Sequence, residues 1–192
     1  MPIIGTIASS YLQATGDFVS LASATGNGSS TSFLFSNIPQ TYSHLQIRYW
    51  GKSTWAPGTI SDVLTVRINE DTSQLYRVYS VYTGVGPSMN FSDTGTTQNK
   101  WGDNFLMLAS NSPAYVGGVG VLDIYNYSST TMKKSAKFVT ADPADGYYNG
   151  NYWNLGFGSA QWNSNSAITQ LRFMANGAFT SDSYVALYGI RT

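Results

Sequence analysis

The feature that most limits what this chain can become is the alternation of apolar and polar residues in short runs, broken by Gly, Asn, Ser and Pro. A period of two belongs to strands, because successive side chains leave a strand on opposite sides. His44–Trp50 shows it cleanly: Leu45, Ile47 and Tyr49 share one side, His44, Gln46 and Arg48 the other. Within Val63–Asn69, Leu64, Val66 and Ile68 alternate in the same way with Thr65 and Arg67. Further runs fall at Phe18–Ala22, Thr31–Ser36, Leu75–Tyr82, Asn104–Ala109, Val119–Tyr127, Met132–Thr140, Tyr152–Ser159, Ile168–Met174 and Tyr184–Ile190. Helical periodicity is almost absent, and a parallel sheet would need crossover helices. About ten strands joined by glycine-rich turns predict an all-β fold, an antiparallel, jelly-roll-like β-sandwich. No blade-length repeat supports a propeller. The polar stretch Thr83–Gly102 is expected to be a long loop.

Two segments are expected: an N-terminal arm over residues 1–15 and one sandwich domain over 16–192, since a β-sandwich of this length is usually a single domain. The first segment is too apolar for a free tail, with Ile3, Ile4, Ile7, Tyr11 and Leu12 spaced along it. It reads either as an edge strand or core plug of its own domain, or as an arm that docks on a neighbouring chain. It lacks the basic start of a secretory signal, and no apolar run approaches the length of a membrane span.

Charge is scarce. Ten basic and ten acidic residues cancel, and charged residues make up only 10% of the chain against roughly a quarter in ordinary domains. No basic stripe exists to neutralise phosphates, so a nucleic-acid partner is not expected. A chain without net charge also does little to keep its copies apart. Ser, Thr, Asn and Gly fill 77 of the 192 positions, while 15% aromatic residues supply ample material for a core and for contact surfaces. The absence of cysteine excludes disulfides, thiolate metal sites and thiol nucleophiles.

Proton-handling groups are equally scarce. His44, the one histidine, lies in an alternating strand, and no Gly-x-Ser-x-Gly elbow accompanies it. Glu70 and Asp71 are adjacent, so extended backbone would point them apart, and Glu70-Asp71-Thr72 reads as a turn. Asp142 to Asn151 offers oxygens of the kind calcium takes, but its spacing is not that of an EF-hand; a turn-rich connection is the preferred reading. Gly117-Gly118-Val119-Gly120 precedes a strand instead of following one, which suits a turn or bulge and not a phosphate loop. Lys133, Lys134 and Lys137 read as edge lysines that block strand-to-strand aggregation, with Lys134 facing away from the other two. Catalytic residues, cofactors and metals are therefore not expected. The segments Tyr147–Trp153 and Gln161-Trp162-Asn163 suit core or interface packing, or stacking on sugar rings.

Four stretches carry a resemblance: Met-Pro-Ile-Ile-Gly-Thr-Ile-Ala-Ser-Ser-Tyr-Leu at 1–12, Phe-Ser-Asn-Ile-Pro-Gln-Thr-Tyr-Ser-His-Leu-Gln-Ile-Arg at 35–48, Ser-Ala-Ile-Thr-Gln-Leu-Arg-Phe at 166–173 and Asp-Ser-Tyr-Val-Ala-Leu-Tyr-Gly-Ile-Arg at 182–191. Together they resemble short β-sandwich structural proteins of aquatic tailed bacteriophages, found in cyanophage-like virions; the middle, about 52–152, carries no such motif. The resemblance implies an oligomeric virion component and supplies no catalytic residues. The expectation is a capsid decoration (cement) protein, a homotrimer, whose partners are the major capsid protein or other virion proteins. Ile3, Ile4, Ile7, Tyr11 and Leu12 would make that contact. The alternative is a tail-fibre or spike head domain that binds host-surface glycan through Trp153, Trp162, Tyr147 and Tyr148. Neither reading calls for a membrane.

Overall fold

The structure, a computed structural model, describes residues 17–55, 61–83, 89–95, 98–102, 105–108, 116–142 and 154–191. These residues hold thirteen strands and no helix. The first seven are β1 (Phe18–Thr25), β2 (Ser32–Phe35), β3 (His44–Gly51), β4 (Ser61–Val63), β5 (Thr65–Ile68), β6 (Tyr76–Thr83) and β7 (Met89–Asp93). The rest are β8 (Leu106–Leu108), β9 (Gly118–Tyr125), β10 (Lys134–Asp142), β11 (Asn154–Trp162), β12 (Leu171–Met174) and β13 (Tyr184–Ile190).

All the pairings are antiparallel, as the alternation predicts. Eight strands form one large layer in the order β1-β13-β3-β9-β10-β11-β6-β7. A three-stranded sheet, β2-β12-β5, packs on its inner face, and β4 and β8 form a separate pair. The core lies between the layers. Leu45, Ile47, Leu122, Ile124 and Phe138 come from the large sheet and meet Phe35, Val66, Ile68, Leu171 and Phe173 from the small one. Phe105 meets Phe138 edge-on at 4.7 Å. One gap between the layers, walled by Ile47, Leu64, Phe138 and Phe173, holds about 10 Å³, the room of a single water at most.

Several boundaries differ from the sequence reading. Met89–Asp93 is a strand within the stretch expected to be a loop, and it forms one edge of the large sheet. Val63–Asn69 is divided, with Val63 ending β4 and Thr65 starting β5. The lysines do not guard an edge, because β10 sits between β9 and β11. Lys134 instead turns inward and is buried, and its ammonium donates to the carbonyls of Ser129, Met132 and Asn165 at 2.7, 2.6 and 3.3 Å. The edges are managed otherwise: β7 is short, and β1 carries a register shift between Ser20 and Ala22. Gly117 and Gly120 do not make a turn. A Cβ at either would come within 2.3 Å of the rings of Trp50 and Tyr49, so these positions are kept bare for aromatic neighbours on β3.

The turn expected at Glu70-Asp71-Thr72 is present. Asn69 and Glu70 take left-handed φ values of 51° and 54°, and the Asp71 amide donates to the Ile68 carbonyl at 2.9 Å. Burial pushes the Asp71 carboxyl up, but donation from the Ser73 hydroxyl, the Ser73 amide and the Trp162 indole outweighs it and holds the group below its ordinary value. A carboxyl lowered in the folded state stabilises the fold above its unfolded value, and that stability is lost as pH falls through the lowered value. Ser73→Ala should therefore lower the melting temperature at neutral pH, with the difference from wild type shrinking in strong acid. Thermal melts recorded from neutral to strongly acid buffer check this, and a variant that melts with the wild type at neutral pH would contradict it.

Candidate contact surface

The outer face of the large sheet is not the polar face that a half-solvated sheet normally presents. Strand register places its outward side chains in rows that run across the sheet. The middle row is Arg48, Val121, Val139, Phe157, Val81 and Phe91, one residue from each of β3, β9, β10, β11, β6 and β7. The row beside it is Trp50, Val119, Ala141, Leu155, Thr83 and Met89, with the Leu155 amide donating to Thr83 Oγ1 at 2.9 Å. Phe91 is 80% exposed, Val139 56%, Leu155 50% and Phe157 46%. Each such side chain forfeits about half, and Phe91 most, of the ~1.5–3 kcal/mol that full burial of a Val, Leu or Phe yields. Single exposed apolar residues are ordinary, but a contiguous group across six strands marks a contact surface.

A third row bounds the apolar area on one side. It consists of Gln46, Asp123, Lys137, Ser159, Tyr79 and Asp93. Its charges are already paired within the sheet. Gln46 Nε2 donates to Asp123 Oδ1 at 2.7 Å, Lys137 Nζ lies 3.4 Å from Asp123 Oδ2, and Arg77 Nη2 lies 2.6 Å from Asp93 Oδ2. The Tyr125 hydroxyl, and then Asp123, raise the Lys137 pKa, so it stays a cation. At the β1 end, the Arg48 guanidinium lies 4.9 and 5.4 Å from the ring centroids of Phe18 and Tyr188, which stack at 4.6 Å. Near the β7 end the face dips into an open hollow of about 730 Å³, walled by Val81, Phe91, Val139 and Phe157 with Lys137 and Asp93 at its rim.

The groups weighed for chemistry lie elsewhere. His44 stands at the start of β3 with its ring edge-on to Tyr125 at 4.8 Å, and its buried Nδ1 meets no hydrogen-bond partner among the described residues. Two hydroxyl–carboxylate pairs, buried Ser53 with Asp62 at 2.6 Å and part-buried Ser61 with Asp142 at 2.5 Å, lie toward the other end of that strand. Seven residues of extended backbone put that end roughly 23 Å from the histidine. Asp62 acts as an anchor, since it also accepts from the Val63 amide, Asn176 Nδ2 and the Gly177 amide at 2.7, 2.7 and 3.2 Å. Burial, and then the Asp142 charge, pushes the Tyr49 phenol far up, so it stays protonated. No group of three or more metal-ligating residues occurs among the described residues, and the rest of the calcium candidate after Asp142 lies outside them.

Of the residues considered for sugar stacking, Trp162 is only 2% exposed. It stacks on Tyr76 at 6.3 Å and donates its indole N–H to Asp71 at 2.9 Å, so it is a core residue and offers no face to a ligand. Trp153, Tyr147 and Tyr148 lie outside the described residues, as do Ile3, Ile4, Ile7, Tyr11 and Leu12. The outer-face residues were missed because each run was read for its core-facing half alone. The signal was present in β9 and β11, where the outward positions also hold Val119, Val121, Leu155 and Phe157; strands apolar on both sides are buried on both sides. Comparison of the chain with protein-family models, curated proteins and solved structures finds no match.

Proposed function

We propose that this chain is a structural protein of a bacteriophage virion, a decoration (cement) protein that works by contact between chains and catalyses nothing. The observation that carries the contact reading is the outer face of the large sheet, where two rows, apolar except for Arg48 and Thr83, run across six strands without an intervening carboxylate. A chain with no net charge and few charges of either sign suits dense packing among other proteins. The assignment to a virion rests on the resemblance at 1–12, 35–48, 166–173 and 182–191.

Copy number per particle tests the assignment. Many copies on the head support decoration, a few at the tail support an adhesin, and absence from purified particles removes the virion reading. The arm has its own test. Deleting Met1–Leu12 should abolish binding to capsids that lack the protein, while far-ultraviolet circular dichroism and the melting temperature stay close to those of the full chain. Full binding by the truncated protein would exclude the arm as the anchor.

A further inference from the structure

We infer that the outer face of the large sheet is the two-fold interface of a homodimer, with the axis parallel to the strands between β10 and β11. This deepens the contact reading by naming a second copy of the chain as what covers the face. A face can serve a two-fold dimer only if it complements itself under the rotation. Turning the sheet about that axis lays β10 over the partner's β11, β9 over its β6 and β3 over its β7, as in two aligned sheets about 10 Å apart.

Each row then meets its own complement. In the middle row, Val139 falls on the partner's Phe157 and Val121 on the partner's Val81. Arg48, already lying on the rings of Phe18 and Tyr188, meets the partner's Phe91. In the next row, Ala141 falls on the partner's Leu155 and Trp50 on the partner's Met89. Small meets large at the centre of both rows, the arrangement that lets two layers interdigitate. In the polar row, Lys137 meets the partner's Ser159, Asp123 the partner's Tyr79 and Gln46 the partner's Asp93. No like charges are opposed, and one carboxylate meets a phenol. An axis through β10 itself would set Lys137 against its own copy.

The size of the face fits. Six strands and three rows span roughly 29 by 20 Å, close to 600 Å² before the relief of the side chains is counted. A stable interface buries about 800 Å² per partner. A three-fold ring would instead need two different complementary patches on each copy, so this face argues for pairs over the homotrimer expected of a decoration protein.

Sedimentation equilibrium of the purified full chain tests the inference without any particle, so its outcome is independent of the virion assignment. The wild-type chain should be a dimer in the micromolar range. Val139 points outward from a central strand, so Val139→Lys should stay folded yet weaken self-association at least about 100-fold, the order expected when a charge is buried without a partner. Phe157→Glu should do the same. Mixing the two variants should restore a dimer, because the mixed pair has one wild-type contact and one Lys–Glu contact. A monomeric or trimeric wild type, a Val139→Lys variant that still dimerises, or a mixture that stays monomeric would each overturn the inference.

Discussion

Asp62→Ala is expected to destabilise the chain by about 3–5 kcal/mol, because the side chain is a buried acceptor with at least four donors on it. Ser53 Oγ and the Gly177 amide bond one oxygen; the Val63 amide and Asn176 Nδ2 bond the other. Asp62 is 2% exposed, so donors orphaned by alanine would find little water. Each stranded donor costs about 1–3 kcal/mol. The carboxylate also ties β4 to the segment that follows β12 and to the segment that follows β3, so its loss would loosen one end of the sandwich as a unit. Asp62→Asn should recover only part of the loss, since one acceptor oxygen becomes a donor facing other donors. Urea unfolding of the three proteins measures both numbers. A shift below about 1 kcal/mol for alanine would mean that water replaces the carboxylate.

Trp162→Ala should cost a similar amount, about 3–5 kcal/mol, through the cavity left by a fully packed indole. The ring is stacked on Tyr76, which in turn meets Trp101 edge-on at 6.3 Å, and its N–H is bound to Asp71. Trp162→Phe keeps most of the packing but strands the Asp71 oxygen, so it should fall between wild type and alanine. These losses would appear in the melting temperature. Any change in binding by the alanine variant would follow from that instability and not from a missing sugar contact. An alanine variant that melts with the wild type would place the indole on a surface after all.

These two side chains show where the sequence was readable. The alternation of Leu45, Ile47 and Tyr49 against His44, Gln46 and Arg48 gave the all-β fold and the inward face of β3, because a strand has only two faces and one must be dry. Trp162 was ambiguous because its neighbours, Gln161 and Asn163, are polar; what buries it is the register of β11 against β6 and β10. Lys134 reads as an exposed charge until the fold brings the carbonyls of Ser129, Met132 and Asn165 around its ammonium. In β7, Met89 and Phe91 alternate with Asn90 and Ser92, but the polar, glycine-containing stretch around them reads as a loop. The exposed apolar face exists only as rows across strands distant in sequence. Its members are visible along each strand, but their adjacency is a property of strand order.

That order has a consequence for how the protein is made. β13 lies between β1 and β3, so the earliest strand of the described fold finds its neighbour only when the latest one is complete. A chain leaving the ribosome carries Phe18–Thr25 with no ladder to join among the described strands until Tyr184–Ile190 has been made. Completion of the large sheet is then a late event that waits on a contact between remote segments, and such topologies fold slowly. A prematurely terminated product would expose the flank of β3 along His44–Gly51, an open edge on which stray chains could pair.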